Sequence, residues 1–264
     1  MNKKNYLWAP FLGLFFRESR RFLRVYFQTI GTPLVSALLY LLIFGVNLGS
    51  NIHLEAHTSY LAFLIPGIMM LTALRNSFEN ATSSIIVGRY TNELQDYKVV
   101  PLSNEQILWA VSLASVFRGL LVALLTFFSG EMFYFFSEGR LLAIAHPIWL
   151  LYYILFSLLA FSFMGFYVSM KGNNFEQING VGSFILLPLL YLGGIFFPVS
   201  SLHPMWQRIS KFNPLLYIIE GTQYCFSGTS TIPLSFTSLW TIGFTILFYL
   251  LCQITLKKGF RYRW

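Results

Sequence analysis

Charge is what this sequence lacks. Asp, Glu, Lys and Arg make up 11% of its 264 residues, where a soluble domain carries about 25%. So few charges cannot wet the surface of a water-facing globule. That excludes a soluble enzyme, a disordered tail and a nucleic-acid-binding domain, despite a net charge of +8. Cysteine is as scarce: Cys225 and Cys252 are expected at opposite faces of a membrane, and no C-x-x-C occurs. Of the four histidines, His53 and His57 stand four apart in a short polar connection and read as solvated loop; His146 and His203 share no helix. Gly-Lys is missing, so there is no phosphate-cradling G-x-x-x-x-G-K-[ST] loop, and neither G-x-S-x-G nor H-E-x-x-H occurs. No metal or cofactor is expected in this chain, and no nucleic-acid partner.

What is present is apolar. Hydrophobic residues reach 56%, with 28 Phe, and mean hydropathy is +0.62. Six apolar runs, at 29–48, 60–78, 107–129, 148–170, 180–197 and 237–256, each approach the ~20 residues that cross ~30 Å of hydrocarbon as a helix. The pattern predicts an all-α, polytopic membrane protein with six transmembrane helices. Residues 1–28 precede them: Leu12, Phe15, Phe16, Ser19, Phe22, Leu23 and Tyr26 recur at helical spacing with arginines largely between. This is the signature of an amphipathic helix lying in the membrane interface, its arginines toward anionic headgroups.

The connections orient the bundle. With the N-terminus cytoplasmic, the inner side collects thirteen basic residues, including the 257–264 tail, against Arg140, Arg208 and Lys211 outside. Such a positive-inside bias puts both termini in the cytoplasm of a multi-pass protein. Two connections are more than turns. The inner stretch 88–106 predicts a short helix ended by Pro101, then a capping box, Ser103 with Gln106, that opens the third span. The outer stretch 198–233 holds Asn213-Pro214, a cap and first-turn proline. Leu215–Phe226 behind it is apolar but only ~18 Å long as a helix, which predicts a re-entrant element. Ser201 to Trp206 starts another short helix before it.

Charges interrupt the runs at Arg75, Glu79 and Arg118, with Glu131 and Glu220 beyond. An ionisable group inside a span faces a bundle interior, a partner or water. Arg75 and Glu79 are four apart and suited to pairing. Arg118 reads equally as lining a translocation path or subunit seam and as a structural arginine capping carbonyls. The polar run Asn76, Asn80, Thr82, Ser83 and Ser84 takes the inner half of the second span away from lipid.

Residues 187–228, L-P-L-L-Y-L-G-G-I-F-F-P-V-S-S-L-H-P-M-W-Q-R-I-S-K-F-N-P-L-L-Y-I-I-E-G-T-Q-Y-C-F-S-G, resemble the signature of type-2 permeases of bacterial ATP-binding-cassette exporters, the drug, nodulation-factor and polysaccharide branch. Pro188, Tyr191, Gly193, Gly194, Phe196, Pro198, Leu202, Trp206, Asn213, Pro214, Tyr217, Gly221, Tyr224 and Gly228 carry the match. Pro66-Gly67, the turn at Val99-Val100-Pro101-Leu102-Ser103 and Arg118-Gly119 resemble the same family elsewhere. The resemblance implies a permease with an outer re-entrant motif at Pro198, Trp206, Asn213, Pro214, Tyr217 and Glu220. It implies a second permease copy and a separate ATP-binding-cassette ATPase subunit that carries the ATP and Mg. Asn92, Glu93, Leu94, Gln95, Asp96, Tyr97 and Lys98 would form the helix that docks on that ATPase. Gln223 departs from the pattern where relatives often carry arginine, so Glu220 lacks an i,i+3 charge partner. The implied activity is export of an amphipathic or lipid-linked drug, lipid or saccharide across the inner membrane. A membrane-embedded lipid-modifying enzyme is the competing reading and needs a dyad such as Glu220 with His203 or Glu79 with Arg75. A passive channel is a third, without a filter motif to support it.

Overall fold

The computed structural model describes residues 3–48, 59–91, 102–172 and 175–259. The expected ATPase-docking stretch Asn92–Lys98, and His53 and His57, lie outside the described residues. Among those residues every regular element is helical. Helix α1 is Lys3–Arg24; α2 is Thr32–Tyr40, flanked by π-helical turns Phe27–Gly31 and Leu41–Leu48; α3 is Tyr60–Tyr90; α4 is Asn104–Glu138; α5 is Pro147–Lys171. Helix α6 runs through Phe175–Gly180, a π-helical turn Val181–Leu186, and Leu187–Tyr191. Helices α7 (Pro204–Ser210), α8 (Pro214–Ser227) and α9 (Leu234–Gly259) complete the chain.

Among the described residues, five helical stretches are long and apolar enough to cross a membrane: Phe27–Gly45, α3, α4, α5 and Leu234–Lys257. α3 and α4 run well past the apolar runs 60–78 and 107–129, to 31 and 35 residues. The overrun of α3 carries Asn80, Thr82 and Ser84, all buried in the bundle. Their hydroxyl and amide groups are satisfied by helix carbonyls and neighbouring helices, so polarity there marks protein contact instead of a helix end. The run 180–197 behaves differently. Its helix ends at Tyr191, reaching only ~25 Å from residue 175 at 1.5 Å per residue, and 192–198 forms turns. Gly194 sits at φ +82°, the left-handed region that a helix cannot continue through, and Gly193 leaves room for the Ile219 side chain.

α3 is the hub, packed against α4, α5, α8 and α2, while α9 lies on α5 and α8. Small residues allow the closest approaches. A Cβ on Gly165 of α5 would stand 2.5 Å from the Phe78 carbonyl of α3, and one on Gly67 of α3 would stand 2.9 Å from the Ile195 carbonyl. Capping fixes the ends: Ser103 and Gln106 form the capping box that opens α4, and Gly139 and Gly228 close α4 and α8 in the left-handed conformation.

Arg17, Arg20 and Arg24 of α1 are exposed, while the opposite side of the helix is covered. It packs along α4, with Leu14 against Ile107 and Ala110 and the Phe22 ring 6.0 Å from Phe117. Of the stripe read from the sequence, Ser19 and Phe22 turn inward, while Leu12, Phe16, Leu23 and Tyr26 are exposed. Arg21 also turns inward, because the buried Glu18 carboxylate draws it there.

Candidate functional site

One face of α3 carries a ladder of polar contacts. Thr72 meets Thr126 of α4, hydroxyl to hydroxyl, at 3.1 Å. One turn on, Arg118 of α4 donates from Nε and Nη2 to the Asn76 side-chain oxygen at 3.1 and 2.8 Å. The next turn has Asn80 donating to the Ser115 hydroxyl at 2.9 Å. The ladder ends on α1: Arg21 donates to the Ser83 hydroxyl at 3.1 Å and to the Asn80 carbonyl at 3.2 Å. Ser84 donates to Glu18 at 2.7 Å, and Glu18 holds Arg21 at 3.0 Å. Both halves of each rung are supplied by the protein, as hydrocarbon requires.

Arg118 is 8% exposed, and its two bonds go to a neutral amide; Glu79 and Arg21 act on it electrostatically from farther away. The helix register thus brings Asn76 to Arg118 and leaves Glu79 a turn beyond. Arg75 and Glu79 pair with each other, Nε to Oε1 at 2.7 Å. Their side chains are 54% and 44% exposed, at the midpoint of α3. They open a stripe at i,i+4 spacing, Arg75, Glu79, Ser83 and Val87, continued by Tyr90 three residues on; beyond its first turn α3 is otherwise buried except at Arg89. Tyr191 at the end of α6 joins this face: its hydroxyl meets that of Tyr40 on α2 at 3.3 Å, and Arg75 acts on it electrostatically. Phe44 and Phe196 flank the pair, the Tyr191 and Phe196 rings stacking at 5.3 Å. Three helices thus contribute guanidinium, carboxylate and phenol to this face. Sequence reasoning singled out Arg75 and Glu79, and Tyr191 only as a position of the family match, and missed Tyr40, Glu18 and Arg21 as site residues. Only the Glu18/Arg21 spacing of three carried a local signal.

The motif at 198–228 is a set of mutual caps. Asn213 accepts from the Leu215 N–H at 3.0 Å and donates to the Leu189 carbonyl of α6 at 2.6 Å. With Pro214 in its first turn, α8 opens as its sequence predicts. Tyr217 donates to the Lys211 carbonyl at 2.7 Å and stacks on Trp240 of α9 at 5.2 Å. Gln223 donates to the Gly194 carbonyl at 3.2 Å, tying the 192–198 turn to α8. Glu220 accepts from the Thr231 N–H at 3.1 Å and from the Thr231 hydroxyl, closing the loop after α8. His203 accepts from the Met205 N–H at the start of α7. Glu220 and His203 are therefore each occupied by a separate turn. Pro198 is half-buried in the turn after α6, and Trp206 is exposed on α7.

A bundle of long apolar helices with a polar ladder between them, and a charged pair left half-exposed on α3, defines a multi-pass membrane protein. Residues 10–227 match the family described as ABC-2 type transporter. Across 96% of both chains, the sequence is 31% identical to the inner membrane transport permease YadH of Escherichia coli strain K12. It is 28% identical to nodulation protein J of Neorhizobium galegae over 71% of this chain and 70% of that one. It is 21% identical to the daunorubicin resistance ABC transporter permease protein DrrB1 of Streptomyces coeruleorubidus over 81% and 70%. The chain belongs to the ABC-2 type transporter family and is a permease subunit of an ABC transporter.

Proposed function

We propose that this permease exports an amphipathic or lipid-linked cargo across the inner membrane, two copies facing each other along the α3 stripe. The observation that carries this reading is the Arg75–Glu79 pair. It stands half-exposed at the midpoint of α3, where contact with lipid would cost several kcal/mol per charge. A second copy or a water-filled path relieves that cost. Phenol, guanidinium and carboxylate beside aromatic rings suit a cargo with both apolar and polar parts.

The energy comes from a separate ATPase subunit, which holds the ATP and Mg. It docks on Asn92–Lys98, with both termini of this chain on the same, cytoplasmic side. ATP drives the switch only by binding one arrangement better than the other. The test is co-purification in detergent with the ATPase encoded beside this chain. A complex that hydrolyses ATP, and that loses transport when Glu93 and Asp96 are both reversed in charge, supports the reading. A chain that purifies alone and binds no ATPase refutes it.

A further inference from the structure

α3 ends at Tyr90, just before the stretch proposed to meet the ATPase, and α5 ends at Lys171, just before α6 begins. Arg89 joins the two ends. Its Nη1 donates to the Gly172 carbonyl at 2.6 Å and its Nη2 to the Ser169 carbonyl at 2.7 Å. The last carbonyls of a helix have no partner inside it, and a cation there also meets the negative end of the helix dipole. The fork therefore grips the end of α5 at two points and fixes its orientation as well as its distance.

The grip reaches further than α5. Gly172 leaves no room for a Cβ, because the Ile178 side chain of α6 occupies that space, and Ile178 is buried. Arg89, Gly172 and Ile178 thus form an unbroken line from the tail of α3 through the end of α5 to the first turns of α6. The far end of α6 carries Tyr191, whose hydroxyl meets Tyr40 and which lies within electrostatic reach of Arg75 on the stripe. A displacement entering at residues 92–101 has a short mechanical route to that stripe.

We infer that Arg89 is a positioning residue of the transport stroke. It makes α6 follow the tail of α3 when the ATPase moves the segment between α3 and α4, an inference that rests on the ATP-driven reading above. Without the fork, the α3 tail still answers the ATPase, but the 172–178 corner slips and α6 lags. An arginine that merely completes the end of α5 would leave that motion intact.

The test uses the complex of permease and ATPase in nanodiscs, with a spin label on Phe184→Cys. Position 184 lies on α6 and is 83% exposed, whereas both native cysteines are fully buried. The label-to-label distance between the two copies is measured without nucleotide and with ATP plus vanadate. The wild-type background is expected to show a nucleotide-driven shift. Arg89→Ala loses the shift while keeping bound ATPase and its hydrolysis rate, and Arg89→Lys, with one compact donor group in place of the fork, recovers part of it. A full shift in Arg89→Ala overturns the inference, as does Arg89→Lys behaving like Arg89→Ala. Labels that ignore nucleotide in the wild-type background refute the ATP-driven reading itself, and the joint with it.

Discussion

Removing the Asn76 amide leaves Arg118 with no acceptor in the middle of the bundle. The guanidinium is 8% exposed and donates twice to the one Asn76 oxygen, so water cannot replace the loss. Hydrogen bonds to charged groups contribute about 1.5–3 kcal/mol in soluble proteins. Inside membrane bundles the average is nearer ~0.6 and reaches ~1.7, because the unfolded chain in lipid finds other partners. Two bonds sharing one acceptor therefore place the cost of Asn76→Ala at about 1.5–3 kcal/mol, no more than the ~3.5 kcal/mol upper insertion cost of an unpaired arginine at a span centre. Arg118→Leu removes the charge together with its need for a partner, and Asn76 keeps its own bond to the Thr72 carbonyl. That variant is expected to cost about 1 kcal/mol, the worth of the net neutral loss. The double variant should match Arg118→Leu alone, since no charge remains to be stranded. Unfolding in mixed detergent micelles reads the difference directly, and thermal melting should show Asn76→Ala about 5–10 °C below wild type. A double variant whose destabilisation equals the sum of the two singles would refute the coupling.

Three other outcomes follow from the same geometry. Gly165→Ala forces a methyl against the Phe78 carbonyl and the Thr82 hydroxyl, whereas Gly243→Ala on α9 meets nothing within 4 Å. Melting should show the first destabilised by about 1–3 kcal/mol and the second stabilised by up to ~1 kcal/mol. Glu18→Ala takes the acceptor from Ser84 and the carboxylate partner from Arg21, which keeps its bonds to Ser83 and Asn80, a loss of about 1.5–3 kcal/mol; α1 should loosen and be cut faster by trypsin at its arginines. Ser103→Ala removes the capping box that opens α4 at a cost of about 1 kcal/mol, visible as faster amide exchange in residues 104–107 and not at the Glu138 end.

Local chemistry made much of this legible before any fold was in view. The Ser103/Gln106 box, the Asn213-Pro214 cap and the Arg75–Glu79 pair each depend on residues within four positions, so spacing alone locates them. The ladder was not legible as contacts. Arg118 on Asn76, and Arg21 on Asn80, join residues 42 and 59 positions apart, and their meeting depends on helix register that apolar runs do not encode. The lengths of α3 and α4 were obscured for a related reason: a polar residue satisfied by a neighbouring helix looks, in sequence, like the end of a span. The 192–198 turns were obscured by the opposite effect. Ile195 and Phe196 are buried and read as continued helix, although Gly193 and Gly194 bend the chain so that Asn213 and Gln223 can cap it from α8.

The stripe on α3 admits a direct measurement in sealed vesicles containing the assembled transporter. A charged, membrane-impermeant thiol reagent is applied to Glu79→Cys and, as the lipid-facing control, to Leu239→Cys, which is 66% exposed on α9. Position 79 should react, with a rate that changes when ATP is added, while position 239 stays unreactive, because only the stripe borders water. Equal silence at both positions would mean that α3 turns its charges toward neither a path nor a wet seam, and would contradict a conducting role for this face.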